Sequence, residues 1–261
     1  MDLELDGDAG LVTASSSGLG LASARALAAE DANVTICGRT EDRLEAARAE
    51  LAETGDGEVL ALQADVTDPD DVSRLVTETV DAFGGLDHLV TSAGGPPSAT
   101  FLETDEQDWY RAYDVLVMGV VWAIEEAHPH LLESDRGTIT CITSRTVREV
   151  ADGLLLSNAV RRAVIGLVKT VSREFAPEIR ANAVLPGTIE TPRIEALVDE
   201  RIDAGVYDDY DEGLAELADD IPMDRIGEPR ELGEAVAFLS SPRSSYVNGA
   251  QLAIDGGLLR S

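Results

Sequence analysis

Thr13-Ala14-Ser15-Ser16-Ser17-Gly18-Leu19-Gly20 is the stretch that decides the fold. Residues 9–14, which lead into it, are short and apolar, as a buried strand is. From residue 18 to residue 30 the apolar positions recur with helical spacing. A glycine-rich turn that opens directly into a helix points backbone N–H groups at whatever lies before the helix, and the helix dipole adds attraction for an anion. Two glycines alone carry little weight. Their place between a first strand and a first helix makes the turn a seat for the pyrophosphate of a dinucleotide. The serines are expected to add hydroxyl donors on the phosphate side.

Working outward, the same alternation continues. Strands are expected at residues 33–37, 59–63, 88–92, 137–143, 179–185 and 251–254, and helices at 41–53, 69–83, 106–132, 157–175 and 230–239. Parallel strands need crossover connections, so this order specifies an α/β protein: a parallel sheet with helices on both faces and right-handed crossovers. No repeat or linker divides residues 1–261, which read as a single domain. One stretch breaks the rhythm. Residues 191–224 are acidic, contain Gly205 and Gly213, and follow the sixth strand, where ligands of open α/β sheets sit. They read as a substrate lid or as a solvated pair of surface helices.

Composition narrows the setting. Fifty acidic residues against twenty basic ones give a net charge of −30, and Lys169 is the only lysine. The acids are spread through amphipathic segments, which describes a folded acidic surface and not a disordered tail. Such a surface suits molar salt, where the Debye length falls to about 3 Å; a merely acidic mesophilic protein is the alternative. A basic face for nucleic acid is not available. Cys37 and Cys141 lie in apolar runs and imply a reducing compartment. The acidic start has no apolar signal core, and residues 115–124 are too short to span a bilayer, so a cytoplasmic protein without membrane partners is expected.

The second strand ends Cys37-Gly38-Arg39. A carboxylate there would bind the ribose 2′-hydroxyl of NAD, whereas an arginine favours the 2′-phosphate of NADP. NADP is therefore expected, with NAD possible; Arg39 could instead pair with Glu41 or Asp42.

With these residues in place the chain resembles a classical short-chain dehydrogenase/reductase, in the subgroup similar to β-ketoacyl-carrier-protein reductases. Thr13 to Gly20 resembles the family's TGxxxGxG turn, with Ala14 at the first glycine and Thr13, Ser15, Ser17, Gly18, Leu19 and Gly20 as cofactor contacts. Asp65-Val66 resembles the pair that meets adenine. Thr91-Ser92-Ala93-Gly94 stands at the NNAG position, and Pro186-Gly187-Thr188 with Thr191 resembles the segment that holds the nicotinamide carboxamide. The resemblance implies a Rossmann-type doubly wound sheet of about seven strands, order 3-2-1-4-5-6-7, in three layers. It also implies a small-molecule substrate and a homotetramer built partly on the helices at 106–132 and 157–175, with the closing segment from Tyr246 to Gly257.

The family reduces a carbonyl with an Asn, Ser, Tyr, Lys tetrad. Here Ser144 matches the serine, but the tyrosine position is Ser157, the lysine position is Arg161 and the asparagine position is Leu116. A serine hydroxyl donates a hydrogen bond yet is a poor acid near neutrality, and Ser157 could simply cap its helix. Arg161, one turn away, can hold ribose or an anion and keeps its own protons. No metal pattern joins the three histidines. Arg145, Arg148, Arg161 and Arg162 flank the site and point to an anionic ligand, with Glu149 and Asp152 as competing partners for Arg148. The reading that results is an NADP(H)-dependent oxidoreductase for a carbonyl or secondary alcohol, with Ser144 and Ser157 as donors and water as proton source. A catalytically silent dinucleotide-binding homologue, a sensor or scaffold, is the alternative. A non-redox dehalogenase-like enzyme ranks last, since those relatives keep the tyrosine and lose the cofactor loop.

Overall fold

The structure, a computed structural model, describes residues 2–260. Seven strands form one parallel sheet: β1 (Ala9–Val12), β2 (Asn33–Gly38), β3 (Val59–Gln63), β4 (His88–Thr91), β5 (Thr138–Ile142), β6 (Arg180–Pro186) and β7 (Gln251–Ile254). Their order is β3-β2-β1-β4-β5-β6-β7, the order the resemblance implies. Buried β-branched and aliphatic side chains on both faces suit strands covered on both sides, and β1, β4 and β5 are buried throughout.

Helices α1 (Gly18–Ala28), α2 (Glu41–Leu51), α3 (Pro69–Phe83), α4 (Glu106–Tyr113) and α5 (Gly119–Glu133) come first, then α6 (Leu155–Val160), α7 (Arg162–Glu174), α8 (Pro192–Asp203), α9 (Tyr210–Ala218) and α10 (Pro229–Ser240). Two cores result. Leu27, Leu44, Leu51, Val236 and Leu239 of α1, α2 and α10 pack on one face of the sheet. Leu75, Val120, Leu131, Val164 and Val168 of α3, α5 and α7 pack on the other. Helix starts follow capping chemistry: the Asp68 carboxylate accepts from the Asp70 amide with Pro69 in the first turn, and α3 stops at Gly84, φ 81°.

Two expected helices are interrupted. The run at 106–132 contains a π-helical turn, Asp114–Met118, where Leu116 is buried. Just beyond it the Val66 carbonyl approaches Gly119 so closely that a Cβ there would lie 2.7 Å from the oxygen. The rod Glu106–Glu133 is 28 residues long and apolar enough to cross a membrane by length and composition. Its apolar side is nevertheless core, through Leu116, Val117, Ala123, Ile124 and Ala127. The helix expected at 157–175 begins earlier and divides at Arg161, so Ser157 lies inside α6 and Leu154 holds the capping position. The reading of Ser157 as a helix cap is thus corrected.

Residues 192–218 form the pair α8 and α9, held together by Tyr207, which is buried and accepts from Arg201. Gly213 makes room for its ring, since a Cβ there would meet Tyr207 Cδ2 at 3.0 Å. Beneath them Ala218, Ile221 and Ile226 make a small core of their own.

Candidate active site

In a parallel sheet all strands exit on one edge, and the chain's chemistry collects there. β1 and β4 are neighbours although β2 and β3 intervene in sequence, which makes their exits the switch point where open sheets bind ligands. Thr13 pins the two exits together: its Oγ1 donates to the Ser92 carbonyl and accepts from the Ser92 amide, both at 2.8 Å. Ser15 is also committed to the framework. Its hydroxyl donates to the Val12 carbonyl at 2.6 Å and accepts from the Cys37 amide at 3.0 Å. The expectation that Ser15 adds a donor on the phosphate side is corrected, because its side chain is buried and spoken for. Ser17 is exposed and its side chain makes no cap bond, so it keeps a free hydroxyl before α1.

The turn itself is built by close approach. Gly18 has φ 59°, in the left-handed region, and a Cβ on Gly20 would sit 2.5 Å from the Ala14 carbonyl oxygen. Leu19 is half-buried behind it. Thr191, which opens α8, comes over the turn: its Cγ2 is 3.9 Å from the Cβ position of Gly18. Pro186 ends β6 and Gly187 donates its amide to the Ile254 carbonyl at 2.9 Å, which ties this segment to β7. Thr188 accepts through its carbonyl from the Gly227 amide at 2.9 Å.

Arg39 is exposed beyond β2, and among the described residues it forms no ion pair with Glu41, Asp42 or any other carboxylate. Its carbonyl accepts from Gln63 Nε2 at 2.8 Å, which fixes the backbone and leaves the guanidinium free. At β3's exit, Asp65 Oδ1 accepts from the Thr67 amide and hydroxyl at 3.0 and 2.8 Å, beside half-buried Val66. Ala93 and Gly94 continue β4 into open space, with nothing within 4 Å of a Cβ on Gly94.

Two of the tetrad positions, Ser144 and Ser157, are linked through a residue that the sequence did not single out. Ser144 Oγ accepts from the Thr146 amide at 3.2 Å, so its own proton is left to donate. Thr146 Oγ1 in turn lies 3.2 Å from Ser157 Oγ, and both hydroxyls are buried. Arg161 is buried as well, and its Nε has no hydrogen-bond partner among the described residues. Burial, and then the like charge of Arg193, push its guanidinium down to about 10.

The other expected cations scatter. Arg148 is exposed and donates to the Gln251 carbonyl at 3.3 Å, and Arg162 donates through Nε to Asn158 O at 3.1 Å on the outer face of its helix. Arg145 stays half-buried next to Ser144. Arg193 was missed because it falls in the acidic stretch read as a lid; a lone arginine two residues after Thr191 was its only signal. Tyr207 is buried between α8 and α9, and Tyr210 donates to Glu190 Oε1 at 2.9 Å, its phenol pushed up to about 12 by burial and by that carboxylate. A cavity of about 470 Å³ between Ile221, Met223, Arg225 and Gly256 shares only Thr188 with this site.

Known proteins share this architecture. The family model described as enoyl-(acyl carrier protein) reductase matches residues 13–259. A glucose 1-dehydrogenase of Gluconobacter oxydans is 37% identical over 252 residues, 95% of this chain and 90% of that one. A 3-oxoacyl-[acyl-carrier-protein] reductase of Staphylococcus epidermidis is 33% identical over 250 residues, 95% and 97% of the two chains. The crystal structure of L-sorbose reductase from Gluconobacter frateurii, complexed with NADPH and L-sorbose, superimposes over the full length of both chains with a TM-score of 0.96 at 31% identity. The chain therefore belongs to the classical short-chain dehydrogenase/reductases, in the branch similar to β-ketoacyl-carrier-protein reductases.

Proposed function

We propose that the protein is an NADP(H)-dependent oxidoreductase that interconverts a carbonyl compound and a secondary alcohol. The observation that carries this reading is the turn at Gly18: a left-handed glycine, a close-packed Gly20 and the overlying Thr191 leave a helix entrance lined by amides. The residues present fit a dinucleotide. Ser17, Gly18, Leu19 and Gly20 would meet its diphosphate, Thr13 and Ser15 would act by fixing the turn, and Asp65 and Val66 would meet adenine. Ala93, Gly94, Pro186, Gly187, Thr188 and Thr191 would line the nicotinamide end. Arg39, without a carboxylate partner, supports the 2′-phosphate form. Arg161, with its orphaned buried Nε, would receive the nicotinamide ribose.

When bound, the reduced nicotinamide supplies hydride. The chain's own part is to stabilise the oxygen that becomes negative. Ser144 is held with its proton free, and the Thr146–Ser157 pair leaves a second hydroxyl proton to donate. Both are preorganised, and the buried, positively charged Arg161 one helical turn from Ser157 favours an alkoxide. Water completes the protonation, because no residue of suitable acidity stands at position 157. Among the described residues Arg145 and Arg161 form no ion pair, and an anionic substrate suits them. The α8–α9 pair serves as the lid. The working form is a cytoplasmic, salt-adapted homotetramer that uses α4, α5, α7 and the closing segment from Tyr246 through β7, where Tyr110 and Tyr113 of α4, Tyr246 and Leu252 are exposed.

One feature favours a silent homologue instead: Leu116 is buried in the π-helical turn where a polar relay would stand. Screening the native protein and Ser157→Tyr/Arg161→Lys for NADPH oxidation with ketoacyl, sugar and sugar-acid substrates separates the two. Turnover by the native chain supports the enzyme; turnover only in the double variant makes the native chain silent.

A further inference from the structure

Arg193 stands in the first turn of α8, yet its side chain reaches back across the cleft to the β4 exit. Its Nη2 donates to the Pro96 carbonyl at 3.0 Å. Its Nη1 lies against Gly95, within the space that a Cβ at that position would take. Gly95 has no left-handed backbone to account for it, so its lack of a side chain gives Arg193 its seat. From that seat its positive charge adds to the burial that disfavours the charged form of Arg161.

Among the described residues no carboxylate pairs with either arginine, although Arg193 is exposed to solvent. Elsewhere arginines find carboxylates readily, as in Arg48–Glu45, Arg74–Asp71 and Arg225–Glu231. With fifty acidic residues in the chain, the buried Arg161 still forms no ion pair among the described residues and its Nε has no hydrogen-bond partner there. A buried unpaired cation is costly unless a partner arrives. Ribose hydroxyls could accept from Arg161 but carry no charge to balance two guanidiniums.

We propose that Arg161 and Arg193 together form a receptor for a carboxylate on the substrate, and that Arg193 is the specificity-determining residue. The inference rests on the dinucleotide-dependent oxidoreductase reading above. Arg161 lies one helical turn from Ser157, about 6 Å along the helix face. The carboxylate and the reacting oxygen are then only a few bonds apart, so the substrate class is a short keto or hydroxy acid, or a sugar acid that presents the same unit.

The test is calorimetric titration at fixed KCl, with and without saturating NADP+, which blocks turnover of a ketone. The probes are acetoacetate and its neutral isostere pentane-2,4-dione. The native protein should bind acetoacetate at least about tenfold tighter. Arg193→Ala and Gly95→Ala should each erase most of that preference, while affinity for NADP+ stays within about threefold. Gly95→Ala displaces only the end of a flexible side chain, so its thermal unfolding should match the native protein. Equal affinity for the two probes overturns the proposal. So does a loss of NADP+ affinity in both variants with acetoacetate binding intact, which would give the arginines to the cofactor's phosphates. A native protein that binds no NADP+ sinks the oxidoreductase reading, and acetoacetate binding by the free protein then still decides the carboxylate site.

Discussion

At residue 14 the chain holds an alanine at φ 46°, in the left-handed region where side chains other than glycine are strained. The conformation costs an L-residue about 1–2 kcal/mol, and glycine's greater freedom in the unfolded chain returns about 0.4–1 kcal/mol of that. Ala14→Gly should therefore stabilise by up to about 1 kcal/mol, read as a rise of about 2 °C in Tm for a chain of this size. Thr13 behaves oppositely. Thr13→Val removes the hydroxyl that satisfies both the Ser92 amide and carbonyl, and should cost about 1–3 kcal/mol in denaturant unfolding. The thiols of Cys37 and Cys141 are buried and pushed up to about 11, chiefly by desolvation, which keeps them protonated and inert.

At the scale of elements, α10 is anchored by charge. Glu231 accepts from Arg225 at 2.7 and 2.8 Å and from the Glu228 amide at 2.8 Å, and these hold its carboxyl down at about 2. A carboxyl depressed in the folded state contributes stability above its unfolded value, near ~4.3, and loses it as pH falls toward the folded one. Glu231→Gln should lower Tm at neutral pH, and its gap to the native protein should narrow as pH falls below about 4.5. A gap independent of pH would assign the effect to packing. Elements of this kind were the readable part of the sequence: the apolar runs of β1 to β7 placed every strand, and proline with an acidic cap placed the start of α3. The active-site contacts were less readable. Ser15 and Ser17 look alike in sequence, yet one hydroxyl closes on the Val12 carbonyl and the other is free, a choice made by the turn's three-dimensional path. Thr146 reaches the site from the short turn after β5 and Arg193 from the first turn of α8, and no local pattern records which segments the sheet will bring together.

For the molecule as a whole, the excess of acid dominates. Twenty basic residues cannot match fifty acidic ones, so most carboxylates face like charges across the surface. Screening shortens that repulsion from about 10 Å at 0.1 M salt to about 3 Å at 1 M. Tm should therefore climb steadily as KCl is raised over that range. A flat profile would mean the acidity is incidental and would remove the salt-adapted reading. Against this negative background Arg39, Arg161 and Arg193 form no ion pair among the described residues, and on the reading proposed above an anionic cofactor and substrate supply their partners.

The most direct test of the account is a fluorescence titration of the protein in molar KCl with NADPH and, separately, NADH. The account predicts saturable binding of NADPH, tighter than NADH, with the difference diminished in Arg39→Ala. Absence of binding by both nucleotides would contradict it.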